Sequence, residues 1–293
     1  MKLAVCSQQR DRAPYLEEWI RFHHSQGVDL FYIYLHQCQD HSLDVVRRLS
    51  GLFQICYYTV GNLYQSQLES FNHCLHHHGH SYDWCAYIDG DEFLFAPYSG
   101  SIKDQIYQYQ YLPLSGLAVY WAVFGSSHHV REPLGPITAN YRYRASLDHP
   151  VNGHYKTILR GHQGRSVSVS NCSHYFHTSQ GIFDTEMRSV SDSQWLASGH
   201  LVSAHRPCHD LLRINHYATQ SRQYFLEVKQ HQGSADQLGF ETRSQAWWEE
   251  FDQNAEWDHS LDMVSKTWTL GKYYHRSQKE FLYDQLNMGP TSA

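Results

Sequence analysis

The chain has 293 residues, 41% of them hydrophobic, enough to bury one large core or two small ones. Its 23 basic and 29 acidic residues leave a net charge of −6 with no basic run, which argues against nucleic acid as a partner. No apolar stretch reaches about 18 residues, so no transmembrane segment is expected, and peripheral contact with a membrane stays open.

Lys2 to Cys6 reads as a first strand rather than a secretory signal, which would need a longer apolar run. Pro14 to Gln26 follows as a helix, with Leu16, Trp19, Ile20 and His23 at helical spacing and Gly27 to cap its end. Leu30 to Leu35 is a second strand. Asp40 or Ser42 can cap a helix that runs through Val45, Val46 and Leu49 to Gly51. Phe53 to Tyr58 is a third strand, and Tyr64 to His78 a helix with Leu68, Phe71, Cys74 and Leu75 on one face. Cys85 to Ile88 has the length and content of a buried strand. This alternation predicts an α/β fold, a mostly parallel sheet wrapped by helices. Ser101 to Gln108 is a short helix and Gly116 to Phe124 another buried strand.

Beyond about residue 125 the periodicity weakens. Ser126 to Pro136 reads as a loop; Tyr155 to Leu159, Val167 to Val169 and Leu212 to Ile214 are candidate strands; Ser221 to Gln232 and Ser244 to Phe251 are helices. No Pro/Ser-rich linker separates the two halves, so a single domain is expected, with an irregular C-terminal half of the kind that supplies acceptor sites and lids. Seven scattered cysteines without a C-x-x-C pair argue for reduced thiols and a cytoplasmic location.

The strand ending at Ile88 runs straight into Asp89, Asp91 and Glu92, with Gly90 between the first two. Ligands of open α/β sheets bind outside the carboxyl ends of strands. Asp89 and Asp91, two apart, can turn toward one side, and Gly90 lets the backbone approach a ligand closely. Two hard oxygen ligands suit a divalent cation that also holds phosphates. The competing reading is a surface turn, since Asp and Gly favour turns; the preceding strand favours a site. The histidines at 73, 76, 77, 78 and 80 read as a solvated helix end, because three consecutive histidines cannot share one helix face.

An apolar strand ending in Asp-x-Asp is the mark of nucleotide-sugar glycosyltransferases, and further pieces occur in order along roughly residues 2 to 285. These are Ala13 to Ile20 with His23 and Gly27-Val28-Asp29; Asp40 and Ser42; Gln65 or Gln67 with Cys74-Leu75; Trp84 with Ile88 to Phe93; Trp121 with Phe124-Gly125-Ser126-Ser127; Lys156, His174, and Asn215-His216-Tyr217 with Ser221, Phe225 and Lys229; and Asn254 with Asp258. In these the chain resembles glycosyltransferase family 92, enzymes of GT-A fold related to glycosyltransferase family 2. It departs from the family at Arg10-Asp11-Arg12 and Leu35-His36, where such enzymes hold the nucleoside.

The resemblance implies one GT-A-like domain over 1–293, with a nucleotide-sugar-binding half (1–125) and an acceptor-binding and lid half (126–293). It implies transfer, with inversion, of galactose or another hexose from a nucleoside-diphosphate sugar, uridine-linked, to a glycan or glycoconjugate hydroxyl. The expected cofactor is a divalent metal, Mn2+ or Mg2+, on Asp89, Asp91 and His216, with His174 as the alternative imidazole and the Glu92 carboxylate as a lesser candidate ligand. Arg10, Asp11, Asp89, Trp121, Lys156, Ser221 and Lys229 are expected to bind donor or acceptor, and Arg160 is a further isolated cation. Glu132 is the expected base, with Asp148 and Glu186 as alternatives. Two other classes compete: a metal-dependent phosphodiesterase built on Asp89, Asp91 and Glu92, and a non-catalytic nucleotide- or carbohydrate-binding protein.

Overall fold

Leu3–Gln9 (β1) is buried along its whole length, the mark of a strand covered on both faces. The computed structural model describes residues 1–61, 65–98, 100–161, 168–169, 172–195, 201–232 and 243–262; Tyr64 and Val167, where two expected elements begin, lie outside the described residues, as does everything beyond 262. Helix α1 (Ala13–Ser25) has Pro14 in its first turn, where a missing N–H costs nothing. It ends at Gly27, whose φ of +93° turns the chain out of the helix. Then come β2 (Leu30–His36), α2 (Ser42–Ser50), β3 (Ile55–Val60), α3 (Ser66–His78) and β4 (Trp84–Tyr87). At the start of α2, Asp40 takes the Ser42 N–H at 2.9 Å, while Ser42 Oγ takes the Arg12 N–H at 3.0 Å.

The remaining strands are β5 (Glu92–Phe95), β6 (Gly116–Val123), β7 (Tyr155–Arg160), β8 (Ile182–Asp184) and β9 (Arg213–His216), with α4 (Ile102–Tyr107) between β5 and β6. All nine strands form one sheet in the order β3-β2-β1-β4-β7-β6-β9-β5, with β8 alongside β6. The first four strands are parallel, as their alternation with helices predicts. Strands β6, β8 and β9 run the same way, so the sheet is mostly parallel as expected, but two strands reverse: β7 enters antiparallel between β4 and β6, and β5 runs antiparallel to β9. Antiparallel neighbours need no helical crossover, so nothing in the local periodicity after residue 125 gives their partners.

The core under α1 is aromatic. Trp19, Phe22 and Phe31 are at most 1% exposed, and Phe22 packs edge-on against Phe93 and Phe95 at centroid distances of 5.1 and 6.1 Å. Fully burying an apolar side chain of this size contributes roughly 1.5–3 kcal/mol. Trp19 Nε1 donates to the Glu92 carbonyl at 2.8 Å, and the Leu94 N–H donates to His23 Nε2 at 3.1 Å. Thus α1 grips β5, the segment just after the acidic turn.

The Ser221–Gln232 stretch is helical but uneven, with an α turn (Arg222–Tyr224), a π-helical turn (Phe225–Lys229) and a closing α turn (Gln230–Gln232). Ser221 caps it, its hydroxyl accepting the Tyr224 N–H at 3.0 Å. Ser244 caps Gln245–Phe251 the same way at 3.1 Å. None of the seven cysteines is in a disulfide, and no helix among the described residues is long and apolar enough to cross a membrane.

Candidate functional site

The acidic turn leaves β4 at its carboxyl end and closes on itself: the Asp89 N–H donates to Glu92 Oε2 at 2.9 Å. Gly90 faces Gln9, and a Cβ there would lie 2.1 Å from Gln9 Oε1, so any larger residue between the two acids would have to displace the Gln9 side chain. The register that pairs Cys6 with Tyr87 puts the ends of β1 and β4 side by side. Arg12, just beyond the end of β1, therefore reaches over, and its Nη2 donates to the Gly90 carbonyl at 3.1 Å.

Both carboxylates are engaged. Asp89 accepts from Gln67 Nε2 of α3 and lies 3.0 Å from Lys156 Nζ of β7. Asp91 accepts from Lys229 Nζ of the π-helical turn, and its Oδ1 lies 3.6 Å from His216 Nε2 of β9. His216 arrives because β9 inserts between β6 and β5, pairing His216 with Glu92 and letting the Tyr217 N–H donate to the Asp91 carbonyl at 2.9 Å. Lys156, Lys229 and Arg12 are 1%, 7% and 6% exposed. Burial alone would raise the Asp91 carboxyl, but its neighbours, Lys229 first among them, hold it well below the usual carboxylate range. Burial pulls Lys229 below the usual lysine value and His216 down to about 3, so the imidazole is neutral. Glu92, also fully buried, is pushed well up by burial.

Asp91 Oδ1 and His216 Nε2, 3.6 Å apart, can share one divalent ion at about 2.0–2.2 Å from each. His216 Nδ1 has no hydrogen-bond partner among the described residues, so no bond there prevents Nε2 from ligating. The pair fits. Asp89, turned to Gln67 and Lys156, does not bring the three into one compact trio. Among the described residues the group whose ligand atoms all lie within 4.8 Å of one another is Asp11, Cys38 and Asp40. In that group the carboxylates already hold backbone: Asp11 takes the Gln39 N–H at 2.6 Å, Asp40 the Ala13 and Ser42 N–H groups at 2.8 and 2.9 Å. Burial pushes the Cys38 thiol up to about 11, away from the ligating thiolate.

The other expected site residues divide. Trp121 of β6 packs on His216 with ring centroids 4.1 Å apart and also lines His154 and His174; its Nε1 has no hydrogen-bond partner among the described residues. His174 holds the Tyr155 carbonyl through Nδ1 at 2.7 Å. Arg10 and Asp11 lie at the same sheet edge as the acids, 3.9 Å from one another, with Asp11 bound to the loop at 39–40. Arg160 is spent on carbonyls of residues 109–114. Asp148 pairs with Arg206 and Glu186 with Arg188, each beside an exposed loop.

Glu132 departs most from expectation. Its Oε1 accepts from Tyr15 Oη at 2.5 Å and Gln220 Nε2 at 3.1 Å, and its Oε2 from Tyr141 Oη at 2.7 Å and Ser221 Oγ at 2.5 Å. These four side-chain donors, joined by the Ser221 N–H on Oε2 at 3.4 Å, fill the roughly four lone-pair positions of a carboxylate, so none is directed at an acceptor hydroxyl. Glu132 instead holds Gln220, whose Oε1 takes the Arg12 Nη1 proton at 2.7 Å, and so supports the arginine on the Gly90 carbonyl. Arg12 and Gln220 were not among the expected site residues. A cation directly after an apolar strand was the signal for Arg12; Gln220 had none.

The profile of glycosyltransferase family 92 matches residues 2–184, more than half of the chain. A glycosyltransferase family 92 protein of Oryza sativa subsp. japonica is 29% identical over 182 residues, covering 61% of this chain and 30% of that protein. One of Ricinus communis is 25% identical over 183 residues, covering 61% and 32%. The chain thus spans about a third of the length of the curated relatives it matches. The crystal structure of S. aureus TarS 1-349 in complex with UDP is 11% identical, covering 57% of this chain and 48% of that chain, with a TM-score of 0.39, too slight a likeness to carry fold or function.

Proposed function

Because the chain belongs to glycosyltransferase family 92, we propose that it is a sugar transferase with a GT-A-like arrangement, its two halves acting as one domain. It moves galactose or another hexose from a nucleoside-diphosphate sugar, uridine-linked, to a hydroxyl of a glycan or glycoconjugate. The observation that carries this reading is the convergence on the β4 turn. Asp89 and Asp91 meet Lys156, Lys229, Arg12 and a neutral His216, brought from separate elements of both halves to the end of a parallel strand. That is where α/β sheets bind ligands, and the cations suit a diphosphate.

Asp91 and His216 would hold a divalent ion, with Asp89 beside them; manganese suits a mixed carboxylate and imidazole set. When bound, the ion stabilises the charge that develops on the departing diphosphate. Lys156, Lys229 and Arg12 neutralise the phosphate oxygens. Trp121 forms the wall of the site against His216. Glu132 acts by holding Gln220 and the Ser221 cap, and Arg10 and Asp11 border the nucleoside. Seven cysteines outside any disulfide support a reducing, cytoplasmic setting.

A panel of sugar nucleotides, incubated with and without manganese and followed by nucleoside-diphosphate release, tests the reading. One donor should be cleaved, and only with the ion. The second reading, a non-catalytic binding protein, draws on the lysines that cover both acids; stabilisation by nucleoside diphosphates in thermal shift with no cleavage of any donor would favour it. Cleavage of simple phosphodiesters would point to the hydrolase instead.

A further inference from the structure

Asp89 and Asp91 each already hold a buried ammonium, Lys156 at 3.0 Å from Asp89 Oδ2 and Lys229 on Asp91 Oδ2. Neither lysine can leave its carboxylate for the interior without a new partner, since a buried charge left unpaired is strongly unfavourable. Arg12 adds a third cation through its bond to the Gly90 carbonyl, and Gln67 and His216 complete the groups facing the acids. Glu92, its carboxyl on the Asp89 N–H, adds at most one negative charge. The cluster therefore has no surplus of negative charge before any ligand arrives. A divalent ion entering alone would add two positive charges to it, where low dielectric magnifies repulsion. A diphosphate entering alone meets three cations.

Resting on the sugar-transfer reading, we propose that Lys156 and Lys229 are exchange counter-ions. They hold Asp89 and Asp91 in the unliganded protein and turn onto the diphosphate oxygens of the donor, which frees the carboxylates for the divalent ion. The diphosphate and the ion then bind cooperatively, and by linkage each tightens the other equally. The diphosphate is the ligand that the site accepts by itself. Two features of the fold fit this exchange. Each lysine comes from a different element of the C-terminal half, β7 or the π-helical turn, so the two carboxylates are released independently of the β4 backbone. Asp91 keeps His216 beside its other oxygen, so releasing Lys229 leaves a two-ligand bite in place.

Equilibrium dialysis of the intact chain with manganese and with methylenediphosphonate, singly and together, tests the exchange. Dialysis without protein corrects for chelation in solution. The diphosphonate should bind without metal, manganese alone should bind weakly, and saturating diphosphonate should tighten manganese about tenfold or more beyond solution chelation. Lys229→Met, and in parallel Lys156→Met, should invert the preference, with manganese alone binding more tightly than in the parent and diphosphonate alone more weakly. Either variant can unfold the chain by leaving a buried carboxylate unpaired, so the parent titration stands as a test without them. Equal manganese affinity with and without diphosphonate overturns the exchange and leaves the sugar-transfer reading intact. Uptake of neither ligand overturns both. A folded Lys229→Met chain with both affinities unchanged overturns the exchange alone.

Discussion

In residues 1–125 the two acids and Arg12 stand on turns that follow strands, whereas in residues 126–262 the site groups are delivered by distant pairings. Asp89 and Asp91 lie one turn past β4, and Arg12 lies just past β1. Lys156, His216 and Lys229 come from an antiparallel strand, an inserted strand and a π-helical turn, far apart in sequence. The regular half sets out the two acids and one arginine, and the irregular half answers with two lysines and a neutral imidazole. Half a site on each side means that neither half alone balances its charges, which ties the order of the irregular half to the acids it meets.

The sharpest break is Asp91→Asn. On the sequence alone this change removes a charge at an open strand end and leaves the fold intact. The structure alters that expectation, because Lys229 would be left buried without its carboxylate. Transfer should be abolished, with loss of the ion's charge stabilisation worth several kcal/mol of barrier. Stability should also fall by about 3–5 kcal/mol, as for a broken buried pair. Urea denaturation separates the two effects, and Asp91→Asn combined with Lys229→Met should recover much of the stability while transfer stays lost. Full activity in excess chelator would rule out the ion.

Glu132→Gln sharpens the same comparison from the irregular side. An amide replaces two acceptor positions with donors aimed at Ser221 or Tyr15, so stability should drop by about 1–3 kcal/mol. Turnover should fall without any change in the shape of its pH profile. Loss of the acidic limb of that profile would instead restore Glu132 as the base.

Both halves also bury neutral histidines. Burial pulls His23, on the buried face of α1, down to about 3 and His209, bonded to the Trp121 carbonyl at 2.8 Å, down to about 4. A depressed folded value means that the unfolded chain takes up the proton first. The stabilisation is full above about pH 6.5 and is lost as pH falls toward 4 and 3, by up to about 1.4 kcal/mol per unit for each histidine. His23→Gln should flatten the slope of stability against pH between 6.5 and 4 by about one proton; an unchanged slope would show that His23 does not titrate in this way.

The smallest expected effect is Ser221→Ala. It removes a helix cap and one of the four donors on Glu132, at about 1 kcal/mol, read as a shift in the urea midpoint. A loss several times larger would mean that the Glu132 network couples the halves more tightly than single bonds suggest.

The sequence by itself determined the first four strands, the helices between them and the place of Asp89 and Asp91, because hydrophobic period and turn residues are local signals that short-range sterics enforce. It also marked His216, Lys156 and Lys229 through family resemblance, and Ser221 and Ser244 as caps through their side-chain chemistry. Only the tertiary structure decided which acid each cation meets, since Lys156 and Lys229 reach their partners through pairings 67 and 138 residues apart in sequence. It likewise turned Glu132 from an expected base into a saturated acceptor, because hydrogen-bond occupancy depends on donors from three separate segments, around Tyr15, Tyr141 and Gln220-Ser221. Charge balance in a buried site is a property of what surrounds a residue in space, and the chain order does not carry it.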